Sequence, residues 1–202
     1  MLHAASPDFY VAIQTRLREC DLILVEGIDA PQARILTLAY RTVVKSKRFS
    51  LVAQGNSCDL SPFRDWLVPA DLNSGEFERG WRQVPFYLRL LMLGLAPLYG
   101  LYLYFFGTRD MMTRYAEFNH LPSREEVLMY DRDFDQLNHA LIGQRDARLI
   151  QTIKQLVQEP VQKPKTIGIL FGAQHMHAVI RYLSEREGYH ATDAEWVTVF
   201  EF

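Results

Sequence analysis

The sequence offers little sulfur chemistry. It holds two cysteines, Cys20 and Cys58, too few for a disulfide scaffold or a cysteine-rich zinc site, and they read as reduced, buried or half-buried thiols. It also lacks an excess of either charge, since 22 Lys and Arg stand against 24 Asp and Glu for a net charge of −2. That leaves no basic surplus for nucleic acid and no acidic tail. No charged segment followed by an apolar one opens the chain, so a cytoplasmic domain is expected. Gly-x-Gly-x-x-Gly, the P-loop, the Gly-x-Ser-x-Gly elbow, His-Glu-x-x-His and zinc-finger spacing are all missing. Their absence argues against dinucleotide, nucleotide, serine-triad and zincin chemistry.

What is present is a globular composition, 49% hydrophobic and 23% charged over 202 residues. That suits one α/β domain over 1–202 with its own core and at most a small insert. Ser6-Pro7 is a helix start, followed by Phe9, Ile13 and Leu17 at helical spacing. Leu22–Val25, closed by Glu26-Gly27, reads as a strand buried on both faces. Pro31 opens a helix ending in Arg41, Lys45, Lys47 and Arg48, cations that suit a helix C-terminus. A second strand is predicted over 49–53 and a loop over 54–73. Asn73-Ser-Gly-Glu76 is a capping box opening a helix through Trp81, and a second capping box follows Pro122. A long helix is predicted over 134–158, loosened by Gly143, and Lys163-Pro164 turns the chain. Residues 166–171 read as a third strand, then a helix runs to Glu187 with Gly188 as its stop. Trp196–Phe200 reads as a last strand. Strands alternating with helices predict an α/β fold: a mostly parallel sheet flanked by helices on both faces, with a helical insert around 73–130.

No charged residue occurs from Leu90 to Phe106. As a helix, these 17 residues of the apolar stretch 84–107 would reach about 26 Å, just short of a bilayer core of about 30 Å. Arg89 and Arg109 flank it, and Tyr99, Tyr102 and Tyr104 crowd its second half. Gly94, Pro97 and Gly100 are expected to break it into two short pieces. Two readings follow: a helical hairpin buried against the domain or a partner subunit, as in a homo-oligomer, or a segment in contact with a membrane, peripheral or integral.

In open parallel sheets, ligands bind beyond the carboxyl ends of the strands. Glu26 ends one strand, and His175 lies just past another on a Gly-Ala-Gln turn. His3 would hold the same kind of position if a strand preceded it. Two imidazoles and a carboxylate suffice to hold a divalent metal with open positions, and such a metal activates water. His177 points away from His175 on a helix, and His120, His139 and His190 read as ordinary surface or loop histidines.

Gly172-Ala-Gln-His175 after a hydrophobic strand, with Gly188-Tyr189 after the next helix, resembles the C-terminal Gly-x-x-His motif of the TraB/Tiki family. Leu24-Val-Glu26-Gly27 is similar to that family's strand-end glutamate. Gln144-Arg145-Asp146 resembles its Glu-Arg-Asn motif, here written Gln-Arg-Asp. The family is linked to erythromycin-esterase-like and ChaN-like proteins of α/β fold. Its animal members are membrane-tethered metalloproteases needing Mn²⁺ or Co²⁺, and bacterial members include inhibitors of peptide pheromone signalling. The resemblance implies a metal-dependent, peptidase-like hydrolase with His3, Glu26 and His175 as metal ligands, and Arg145 holding a carboxylate or oxyanion. Glu26 stands equally as ligand or as general base. The resemblance further implies a family domain without its first strand, since the family's first Gly-x-x-His follows a strand and glycine that do not precede His3 here. Substrates would be peptides or small molecules. The alternative reading is a non-catalytic regulator binding peptide, haem or metal in the same pocket.

Overall fold

The computed structural model describes residues 4–46, 48–111, 132–158 and 166–200. Lys47, His120, the capping box after Pro122 and the Lys163-Pro164 turn lie outside the described residues. Ala4–Ala5 forms β1, and Pro7–Leu17 forms α1. Ser6 caps α1, its hydroxyl accepting from the Phe9 N–H at 3.2 Å, while Pro7 fills the first turn, where no N–H is needed. Leu22–Val25 is β2. The helix after Pro31 is two helices, α2 (Pro31–Leu36) and α3 (Leu38–Val43), joined at Thr37.

The strand expected over 49–53 shrinks to Val52–Ala53 (β3), which pairs antiparallel with β1. Ser50 is the reason: its φ of 51° places it in the left-handed region and breaks an extended run. The loop expected over 54–73 is more ordered than that. It contains α4 (Gln54–Ser57), a 3₁₀ turn over Ser61–Trp66, and the strand β4 (Leu67–Pro69). Next come α5 (Ser74–Gln83), α6 (Phe86–Phe106), α7 (Arg132–Asn138), a π turn over His139–Gly143, α8 (Gln144–Gln158), β5 (Ile167–Leu170) and α9 (Ala173–Arg186). The capping box of α5 is reciprocal. Asn73 accepts from the Glu76 N–H, and the Glu76 carboxylate accepts from the Asn73 N–H, both at 2.9 Å. At the far end, Gly188 takes φ 72° and Tyr189 N–H closes on Leu183 C=O at 2.9 Å, ending α9.

The fold mixes helix and sheet, at 63% helical and 9% strand, so it is not mostly sheet. Its centre is a three-stranded parallel sheet in the order β4-β2-β5. The alternation of β2 sorts the core onto two faces. Leu24 packs with Leu149, Ile153, Phe171 and Val179 of the α8–α9 side. Ile23 packs with Leu17 and Phe63 on the α1 side. Both are fully buried, and each contributes about 1.5–3 kcal/mol. Helices thus cover both faces, as an all-parallel sheet requires.

The strand expected over 196–200 is absent. Val197 and Val199 pack beside Phe9 and Tyr10, and Ser6 N–H bonds Val199 C=O at 2.8 Å. One such bond beside a two-residue strand does not make a ladder, and Trp196 stays fully exposed.

The apolar segment is a single 21-residue helix, α6, not two short pieces. It continues through Pro97 because its inner side is held along α2 and α3. Gly100 sits on the backbone of Ala39, where a Cβ would come within 2.7 Å of Ala39 Cα. Packing of this kind overrides a proline's local cost. Nor is the helix buried: only 17% of its apolar window is covered. By length and composition it is able to cross a membrane.

Candidate functional site

Three adjacent parallel strands end at one edge of the sheet, and each is followed by residues of the site. Glu26 follows β2 directly, Asp71 lies two residues past β4, and Gly172 two past β5. Glu26 N–H bonds Leu170 C=O and Ala70 N–H bonds Val25 C=O, both at 3.2 Å, so the ladder fixes where these ends stand. The start of α8 supplies Arg145 and Asp146, and the first turn of α9 supplies His175.

Arg145 joins the two strand-end carboxylates. Its Nε donates to Asp71 Oδ1 at 3.0 Å, and its Nη2 to Asp71 Oδ2 at 2.7 Å and to Glu26 Oε1 at 2.5 Å. The second Glu26 oxygen accepts the Gly172 N–H at 2.5 Å. Asp71 also accepts from Gly27 N–H at 3.0 Å and Leu72 N–H at 2.8 Å, so both of its oxygens are satisfied although it is buried. Burial disfavours the Arg145 cation, but hydrogen bonding and attraction from Asp71, then Glu26, outweigh it and push its pKa above the ordinary guanidinium value. The residue at 172 has to be small. A Cβ there would stand 3.3 Å from Glu26 Oε2 and 3.5 Å from His175 Cδ2.

His175 is 2% exposed. Its Nδ1 lies 2.6 Å from Asp146 Oδ1, and its ring meets Phe171 edge-on at 5.7 Å. A carboxylate accepts only, so Nδ1 carries a proton toward Asp146, and Nε2 faces Glu26 Oε1, 3.9 Å away. Three carboxylates stand around one guanidinium, so the cluster is net negative. Glu26 and Arg145 also line an open cavity of about 1240 Å³, which His175 does not line.

Of the residues expected from the sequence, Glu26, Arg145 and His175 are brought together here. His3 lies outside the described residues. His177 is exposed on α9. Among the described residues, no group of three or more His, Cys, Asp or Glu is arranged to hold a metal ion. Two donors face one another across 3.9 Å, and an ion between them would share Glu26 Oε1 with the Arg145 guanidinium. The cluster is net negative, and the imidazole is oriented by a carboxylate on its other nitrogen, as metal-bound histidines are. The site residues missed from sequence are Asp71 and the role of Asp146. Asp71 had a signal: Leu67-Val68-Pro69-Ala70 is a short apolar run closed by a carboxylate, like Leu22–Val25 before Glu26, with Pro69 obscuring it. Asp146 stands in the Gln144-Arg145-Asp146 motif, but nothing there points to its partner His175, 29 residues away.

Comparison with known proteins found no matching family model, no matching curated protein and no matching solved structure.

Proposed function

We propose that this chain is a metal-dependent hydrolase of the TraB/Tiki type acting on a peptide. The observation that supports the reading is the meeting of Glu26, Arg145 and His175 at the carboxyl edge of the sheet, Glu26 lying 119 residues from Arg145 in the chain. Glu26 and His175 would hold the ion, with His3 as the third ligand that the resemblance implies. Bound Mn²⁺ or Co²⁺ supplies Lewis-acid activation of water. Asp146 accepts from His175 Nδ1–H and would so turn Nε2 toward the ion. Arg145 fixes the Glu26 carboxylate, and its Nη1, which takes no part in those bonds, is left to steady the oxyanion of the scissile carbonyl. Glu26 acts as ligand or as the base that takes the water proton. Hydrolysis adds one water: its oxygen bonds the carbonyl carbon, the C–N bond breaks, and a proton passes to the leaving amine.

The test is elemental analysis of wild type, His175→Ala and Asp146→Asn after Mn²⁺ or Co²⁺ loading, followed by turnover of a mixed peptide library. One ion per chain, lost in His175→Ala and weakened about 10–100-fold in Asp146→Asn, is expected, with turnover lost alongside. Equal metal content in wild type and His175→Ala overturns the site. A bound ion or haem with no turnover of any peptide replaces the hydrolase by a sequestering protein.

We infer further that α6 rests on a lipid surface. Phe86, Tyr87, Leu90, Leu91, Leu95, Leu98, Leu101, Tyr102, Phe105 and Phe106 are all 47–70% exposed. At 100° per residue they fall within one continuous arc of roughly 200°. They present on the order of 1,000 Å² of apolar surface, above the few hundred that a monomer's largest patch shows. The opposite side of α6 packs on α2 and α3, which carry exposed Arg34 and Arg41. That polar backing suits a helix lying in the interface plane better than one that spans. Arg82 and Arg89 near one end and Arg48 and Arg109 near the other suit the headgroup level. Flotation with anionic vesicles, reduced in Leu98→Gln, is the expected result. A soluble dimer that ignores vesicles refutes it.

A further inference from the structure

The cavity that Glu26 and Arg145 close at one end is walled by α3, α6 and the stretch from Leu51 to Leu60. Its volume of about 1240 Å³ exceeds the roughly 300–1,000 Å³ of ordinary small-molecule sites. Leu36, Leu38, Met92, Leu95, Tyr99 and Leu141 make its wall mainly apolar. Four cations line it, Arg34, Arg41, Lys45 and Arg145, against one acid, Glu26. Arg145 is taken up by Asp71 and Glu26, and Arg34 by Asp29. Among the described residues, Arg41 and Lys45 form no ion pair. The scissile linkage of the hydrolase reading stays at Glu26 and Arg145, and the apolar wall beyond it offers an extended peptide backbone few hydrogen-bond partners. An alkyl chain needs none.

We propose that the cavity takes an anionic amphiphile: an apolar chain laid along the wall that α3 and α6 form together, an anionic group at Arg41 and Lys45, and a hydrolysable carbonyl at Glu26 and Arg145. The last element rests on the hydrolase reading above; the chain and charge elements do not. α6 then has two apolar duties on neighbouring faces. Met92, Ala96 and Tyr99 look into the cavity, while the outer stripe faces outward. Leu95 belongs to both, lining the cavity and remaining 51% exposed.

The experiment is calorimetric titration of the full chain with N-dodecanoylglycine below its micelle concentration, beside its methyl ester and N-acetylglycine. Saturable 1:1 binding of the acid is expected, with N-acetylglycine at least about 100-fold weaker, since each buried methylene adds severalfold. Arg41→Glu with Lys45→Glu should weaken the acid about tenfold and leave the methyl ester unchanged. Both side chains are exposed, so that variant keeps its fold. Ala96→Trp, which sets an indole on the α6 wall of the cavity, should weaken both long-chain ligands about tenfold. Binding unchanged in Ala96→Trp, that falls instead in Leu98→Gln on the outer stripe, or that ignores chain length overturns the proposal. His175→Ala separates the two readings. Amphiphile binding kept there, with no metal or turnover in wild type, sinks the hydrolase alone. Short peptides cleaved by a chain that binds no amphiphile sink this proposal alone.

Discussion

Replacing Arg145 by methionine keeps the apolar stem of the side chain and removes its charge. It deletes three hydrogen bonds to two carboxylates whose side chains are 12% and 1% exposed, Glu26 and Asp71. Those carboxylates then face each other without the cation between them. Removing one partner of a buried ion pair costs about 3–5 kcal/mol. For a chain of this length each kcal/mol moves the melting midpoint by about 2–4 °C, so the expected fall at pH 7 is about 6–20 °C. The pH dependence separates this cause from lost packing. In wild type the guanidinium pKa is raised on folding. Its contribution is therefore fully present below the ordinary guanidinium value and fades only as pH rises through the higher folded one, above the working range. In Arg145→Met the deficit comes from stranded carboxylate charge, which protonation removes, so the gap to wild type should narrow from pH 7 to pH 5. Melts followed by circular dichroism at both pH values measure this, and adding Glu26→Gln to the variant should restore part of the loss. A variant within about 2 °C of wild type at pH 7, or a gap that widens on acidification, refutes the reasoning.

Four further outcomes are expected. A Cβ added at Gly94 would meet no atom within 4 Å, so Gly94→Ala should stabilise α6 by about 0.5–1 kcal/mol. Gly100→Ala, driven 2.7 Å onto Ala39 Cα, should cost about 1–3 kcal/mol in urea unfolding. Asn73→Ala, which empties the capping box of α5, should cost about 1 kcal/mol by the same assay. Burial, then Asp59, raises the Cys58 thiol, and Cys58 lines the cavity. Cys20, less covered, should therefore take a maleimide first at pH 7 by intact mass, and Cys58 labelling should quicken as pH rises and slow when N-dodecanoylglycine fills the cavity. Equal labelling of both thiols, unaffected by the amphiphile, contradicts that.

The elements legible in the sequence carry their own local signals. Ser6-Pro7, Asn73 with Glu76, and Gly188 are caps whose partners lie within a few residues, and β2 and β5 are apolar runs with clear ends. Gly143 foretold a looser helix, and a π turn stands there. The misreadings are non-local. β4 exists because β2 offers it a partner 44 positions upstream, and Pro69 sits at its end, where a lost N–H costs the ladder least. Residues 196–200 have the apolar residues of a strand and no ladder to join. Pro97 looked like a break, but packing on α3 holds the helix through it. In the site, the strand-end positions of Glu26 and His175 could be reasoned from one strand at a time. The bridge from Arg145 to Asp71 could not, because it joins a helix to a loop 74 residues away.

Arg145 and Asp146 are neighbours on α8, yet they serve opposite partners, one holding carboxylates and the other an imidazole. One residue along a helix is a turn of about 100°, so both side chains swing together if α8 rotates. The π turn just upstream sets that rotation, because its wider ring carries one residue more than an α-turn would. Shortening it by a single residue would swing both anchors off their targets at once. The carboxylate-holding and imidazole-orienting halves of the site are therefore set by one helix, and a change in that turn displaces both together.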